Sequence, residues 1–266
     1  MIRNLKVNKT LWLLLACLSL IAAFIGVFNQ DIYSKVISQD LLPGTISQDL
    51  ITLIAGLILL FLSLKTSDTS IKIQIVIMSL LAYLFYGYGI YVIERVYNSL
   101  YILYMAIFSL SFWTLIFGLV SINQDVLQNI KASKLVRNLS AGFLLFTALL
   151  FYSLWTAQIL PLMRTGEKIE FLYSIYILDM VFVLPAIIIT AIMVIKNNAL
   201  GLILAPILFV KAFTLLFSVG LGGLLKPFYN QIAAPGETSF YLILSVIFLS
   251  LAVLNFWKIR FQESED

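Results

Sequence analysis

The chain has 266 residues, 62% of them hydrophobic and 11% charged, with a net charge of +4 and a mean hydropathy of +1.04. Soluble globular domains run about 45–50% apolar and about 25% charged, so composition excludes a soluble enzyme and a disordered protein. Eight helical spans of about 20 residues each would use about 160 residues, which leaves short loops and no room for a soluble domain.

The apolar runs place spans at 11–28, 49–64, 73–93, 100–122, 139–162, 171–195, 199–225 and 240–257. Their length excludes barrel strands, which need only about 9–11 alternating residues. The expected fold is therefore all-α: a polytopic transmembrane helix bundle forming one integral membrane domain, 1–266. The first run follows Arg3, Lys6 and Lys9 and resembles a signal peptide, but it continues eleven residues past Cys17, a length that suits a retained helix. An N-terminus on the inner side puts Arg3, Lys6, Lys9, Lys65, Lys72, Lys131, Lys134, Arg137, Lys196, Lys258 and Arg260 inside, and Lys35, Arg95, Arg164, Lys168 and Lys226 outside. That excess selects cytoplasmic termini and predicts a multi-pass membrane protein.

The loops leave alternatives open. The 29–48 loop, with its Pro43-Gly44 turn signal, is either a lid or a plain connector. The basic 123–138 segment is either an interfacial amphipathic helix or a solvated loop. Asp49 precedes Lys65 by sixteen residues, and Asp179 precedes Lys196 by seventeen. This spacing suggests two parallel four-helix repeats, with binding at their interface.

Absences narrow the chemistry. With no histidine and one cysteine, Cys17, neither His-based catalysis and ligation nor an intramolecular disulfide or CxxC pair is available. No catalytic residue, cofactor, metal or nucleic-acid partner is expected; the lipid bilayer is the expected partner, and oligomeric state is not legible.

The intramembrane charges carry the most information. Lys211 lies deep in the seventh span, where a charge costs from about 3 to more than 10 kcal/mol. At 1.5 Å per residue it stands about 20 Å above the cytoplasmic edge, and Asp179 about 25 Å. Matched depths on consecutive spans predict an Asp179–Lys211 ion pair, either structural or marking a pathway. Asp49 and Glu94 lie at a similar level and join the candidate site if all share one outward cavity. Otherwise Asp49 is a helix N-cap and Glu94–Arg95 an interfacial pair. Tyr173 and Tyr176 share a face with Asp179, and Thr214 shares one with Lys211. Pro185 and Pro206 are expected to kink their spans. Most other tyrosines read as an interfacial belt.

The stretch from Tyr176 through Asp179 to Pro185, the Lys211 span, Gln48-Asp49 and the 97–111 segment resemble an uncharacterised family of bacterial polytopic membrane proteins. Its members look similar in carrying an Asp before Val-Leu-Pro and a Lys one span later. The resemblance implies that Asp179 and Lys211 matter as a pair, and it implies no activity.

Three functions compete: a small carrier or permease for a cationic or proton-coupled solute, a non-catalytic sensor or assembly scaffold, and a lipid-modifying membrane enzyme. A shared water-filled cavity from the outside favours the first, a dry pair between helices the second, and a hydrophobic slot open to lipid the third. A retinal-type Schiff base on Lys211 is disfavoured by its penultimate span.

Overall fold

The computed structural model describes residues 2–67, 69–124, 127, 130–169 and 172–261. Eight helices are long and apolar enough to cross a membrane. They are α1 (Leu5–Phe28), α2 (Leu42–Lys65), α3 (Ile71–Ile93), α4 (Tyr101–Val120), α5 (Lys134–Thr165), α6 (Tyr173–Ile195), α7 (Ala199–Leu225) and α8 (Pro235–Lys258). Phe171, where the sixth span was expected to begin, lies outside the described residues. Large apolar side chains, among them Phe24, Phe61, Leu149, Ile189 and Val253, stand exposed around the bundle. Patches of that extent mark a nonaqueous neighbour, here a lipid bilayer.

The helix ends follow from local chemistry. Asn198 caps α7 by accepting from Leu200 and Gly201, and Ser133 caps α5 by accepting from Val136, satisfying amide donors that have no partner within the helix. The C-terminus of α3 closes with Arg95 in the left-handed region, where the Val96 amide bonds the Tyr91 carbonyl, a Schellman arrangement.

Two expectations at helix starts are corrected. α2 begins seven residues before Asp49, so Asp49 is interior and buried rather than an N-cap. Pro43 and Gly44 form the first turn of α2, not a loop turn. Proline is tolerated there because its missing N–H would have no intrahelical partner. Gly44 faces Gly222 so closely that a Cβ on Gly222 would press on the Gly44 backbone, and one turn on the Ser47 hydroxyl bonds the Ser218 carbonyl. Small residues let α2 and α7 cross backbone to backbone.

α1 packs on α2 and α4, and α3 packs on α2 and α4. α5 likewise packs on α6 and α8, and α7 on α6 and α8. The two fours meet where α2 and α3 pack against α7, with α3 also touching the start of α6. Both described chain ends dock at one end of the bundle. The Arg3 amide bonds the Ser121 carbonyl, and Arg260–Phe261 pairs antiparallel with Ile130–Lys131. Lys131 is therefore extended while Lys134 and Arg137 open α5, so no one helix carries all three; residues 125, 126, 128 and 129 of that segment lie outside the described ones. Pro206 sits within an unbroken α7.

Candidate functional site

α6 is not a uniform helix. After one α-helical turn it passes through a π-helical stretch, Leu178–Val183, in which the Leu184 amide bonds the Asp179 carbonyl five residues back. In that register the Met180 carbonyl would take the amide of residue 185, and Pro185 has none. The Tyr152 hydroxyl of α5 donates to it instead, at 3.2 Å. Pro185 thus accounts for where the α-helix resumes, and π-turns of this kind often occur at functional sites.

Asp179 lies on this turn. Trp155 Nε1 of α5 donates to its Oδ2 at 2.9 Å, and the Tyr86 hydroxyl of α3 also interacts with the carboxylate. Lys211 of α7 stands with its Nζ 3.7 Å from the centroid of the Tyr86 ring. The expected direct ion pair does not form. Tyr86 serves both charges, its ring under the ammonium and its hydroxyl toward the carboxylate, and the two charges interact through space. A desolvated cation over an aromatic face gains about 2 kcal/mol, which helps hold a charge that lipid would expel.

Two adjoining cavities lead to this group. The inner one, about 140 Å³, is lined by Tyr86, Asp179 and Lys211 with walls that include Phe151, Leu184, Ile187 and Phe248. The outer one, about 320 Å³, lies between α2, α3, α6, α7 and α8 at the end away from the chain termini. Ile90, Ile175, Leu215, Val219 and Tyr241 line both, forming an apolar collar between them. Asp40, Glu94, Glu237 and Lys226 line the outer cavity.

Val36, Ile37, Asp40 and Leu41 of the loop before α2 also line that cavity. The loop contains two 3-10 turns, Gln30–Tyr33 and Gln39–Leu41, and is fastened at three points. Tyr33 donates to Asp49 Oδ2 at 2.6 Å, Tyr229 donates to Gln30 Oε1 at 3.0 Å, and Gln231 donates to the Gln39 carbonyl at 2.6 Å. Burial, with the Asp49 charge beside it, pushes the Tyr33 phenol above its ordinary value, so it remains a donor.

The other candidates separate. Asp49 lines neither cavity; it is enclosed by Tyr33 and by Tyr91, which donates to its Oδ1 at 3.1 Å. Gly26 of α1 lies so close that a Cβ there would overlap the carboxylate and the Tyr33 hydroxyl. Glu94 reaches the outer cavity while its Oε1 accepts the Ser174 amide at 2.9 Å, capping α6. Tyr173 donates to the Ile93 carbonyl, tying α6 to the end of α3. Tyr176 donates to Gln158 and packs edge-on to Trp155, behind Asp179. Thr214 bonds its own helix at Val210 and lines neither cavity.

Sequence reasoning missed the roles of Tyr86, Trp155, Tyr33 and Gly26. Depth arithmetic would have found Trp155, since the outer end of α5 and the start of α6 lie at one level. Tyr86 carried no such signal, because any tyrosine in that stretch satisfies a belt. Comparison with known proteins finds no matching family model, and no curated protein and no solved structure matches the chain.

Proposed function

We propose that the chain is a small-solute carrier whose central site is Asp179, Tyr86 and Lys211. One observation carries this: two adjoining cavities run from one end of the bundle to a buried acid and a buried base, with an apolar collar between them. A charge pair serving only to fix helix register needs no such approach, and the cavity mouth lies at a helix bundle end, where a solute would enter. Of the two solute classes the charges suggest, the proton-coupled one fits better than a plain cation, because a cation arriving at Asp179 meets Lys211 beside it. Glu94 and Asp40 stand at the approach; Asp49, Tyr173, Tyr176 and Thr214 support the scaffold.

The orientation we infer puts both termini in the cytoplasm, on the basis of the Lys and Arg distribution, and the resemblance to bacterial polytopic proteins points to a bacterial cell membrane. α1–α4 and α5–α8 form parallel repeats in this reading. Its support is the shared order of helix neighbours and the placement of Asp49 and Asp179 on the second helix of each four.

Single-cysteine variants in a Cys17→Ser background test it. A membrane-impermeant thiol reagent should label Ser218→Cys, at the outer cavity, from the outside only. Ala212→Cys, at the inner cavity, should label from both sides, each after the protein turns. An inner-cavity cysteine that reacts from neither side leaves the charges sealed and sinks the carrier reading in favour of a scaffold.

A further inference from the structure

Lys211 differs from Asp179, the other charge of the inner cavity, in what it lacks. Asp179 is engaged by Trp155 and Tyr86. Lys211 is 4% exposed, lines the inner cavity and has the Tyr86 ring beneath it. No hydrogen bond or ion pair engages its ammonium among the described residues. An ammonium carries three N–H donors, and burying them without acceptors is costly. The rest of the cavity is chiefly apolar and aromatic: Phe151, Leu184, Ile187, Leu216 and Phe248. This is the composition of a small-molecule site, an apolar wall with a few convergent polar groups. Its volume of about 140 Å³ corresponds to roughly five water molecules at about 30 Å³ each.

We propose that the inner cavity binds a small monocarboxylate with an apolar body, its carboxylate taken by Lys211 and its body lying against Phe151 and Phe248. The site deepens the carrier reading and rests on it for the route of entry. Charge balance then dictates a second property. Asp179 and Lys211 together are neutral; a bound carboxylate adds one negative charge in a largely apolar cavity. One proton must enter with it, resting on either carboxylate, so that the loaded site is neutral again. No redox partner is involved, and no covalent bond beyond that one O–H is made. The titratable groups facing the pair are Tyr86 from α3 and Tyr241 from α8, with Glu237 near Tyr241. α5 offers only Thr147, Phe151 and Trp155 to the cavity, and the nearest acid of α2, Asp49, is held by Tyr33 and Tyr91. The proton count therefore belongs to Asp179 and the ligand.

The test is titration calorimetry on the full chain in detergent, with empty micelles subtracted. Phenylacetate, phenylacetamide and phenethylammonium serve as probes of one size and three charges. Phenylacetate should bind saturably, the amide more weakly by tenfold or more, and the ammonium not at all. Repeating the titration in buffers of different ionisation enthalpy should show about one proton taken up per phenylacetate. Lys211→Met should weaken binding at least tenfold, and Lys211→Arg should retain most of it. Should Lys211→Met not fold, the three-probe order and the proton count on the unaltered chain decide alone. Tighter binding of phenethylammonium, no saturable phenylacetate binding, or no proton uptake overturns the proposal. Phenylacetate that binds but is never moved across a liposome membrane overturns the carrier and leaves this site standing. Movement of other solutes without carboxylate binding does the reverse.

Discussion

Gly26→Ala sets two opposing effects against each other, and the structure decides which prevails. In a helix interior alanine is favoured over glycine by about 0.8–1.0 kcal/mol, so the change should stabilise α1 if nothing faces it. Asp49 and Tyr33 face it: the added methyl would overlap the carboxylate and the phenol oxygen. Overpacking of this sort costs about 1–3 kcal/mol. The atoms that must give way are the two ends of the 2.6 Å Tyr33–Asp49 hydrogen bond, and a bond to a charged group contributes about 1.5–3 kcal/mol. Subtracting the propensity gain leaves a net loss of about 2–5 kcal/mol. Equilibrium unfolding in mixed micelles, titrated with sodium dodecyl sulfate, measures it. In an Asp49→Ala, Tyr33→Phe background the same substitution should cost less than about 1 kcal/mol, since both obstructing groups are gone. A Gly26→Ala protein as stable as the parent, or more so, would refute the reasoning.

Asp179→Asn and Lys211→Met should each destabilise the bundle by about 3–5 kcal/mol by stranding a buried charge. The double variant should cost less than the two losses added; additivity within about 0.5 kcal/mol in the same unfolding assay would show that the charges are independent. Tyr152→Phe leaves the Met180 carbonyl without a donor and should cost about 1–3 kcal/mol, whereas Tyr176→Phe, whose bond to Gln158 is exposed, should stay within about 0.5 kcal/mol; equal effects would remove Tyr152 as the π-turn's partner. Tyr33, with its phenol raised in the fold, contributes stability that is full below about pH 10, the unfolded value, and is lost as pH climbs beyond it. The stability gap between the parent and Tyr33→Phe should narrow above about pH 10 by up to about 1.4 kcal/mol per pH unit; a gap constant to pH 11.5 would count against a buried, Asp49-bound phenol.

The spans were legible because lipid imposes one rule on every residue of a helix, and that rule writes itself as a long apolar run. Where a second force acts, the run misleads. α2 begins before its apolar stretch because Thr45, Ser47 and Asp49 are buried against protein rather than lipid, so hydropathy dates its start two turns late. Depth counting at a fixed rise placed Asp179 and Lys211 at one level, and both do line one cavity. It could not see Tyr86 beside them, since azimuth depends on which helices are neighbours. The tyrosines show the same limit: Tyr83, Tyr86 and Tyr104 read as an interfacial belt but are buried in the bundle. A buried tyrosine and an interfacial one have the same composition and the same spacing. The π-turn is the hardest feature to foresee, because Pro185 announces only a missing donor and not the register that the missing donor favours.

The loop over the outer cavity has a quantitative consequence. Its three fastenings are hydrogen bonds with no covalent tie, from Tyr33, Tyr229 and Gln231. Two are neutral and reach the surface; one meets a carboxylate. Releasing the two neutral bonds at about 0.5–1.5 kcal/mol apiece and the charged one at about 1.5–3 kcal/mol amounts to roughly 4 kcal/mol, which leaves the roof lifted about one part in a thousand. Any molecule entering from that end would find the site competent only in that fraction, and its apparent affinity would fall by the same factor of about a thousand. A single substitution that loosens the roof would then tighten binding with no new contact to the ligand, and Tyr229→Phe, far from Asp179, is where such a gain would be seen.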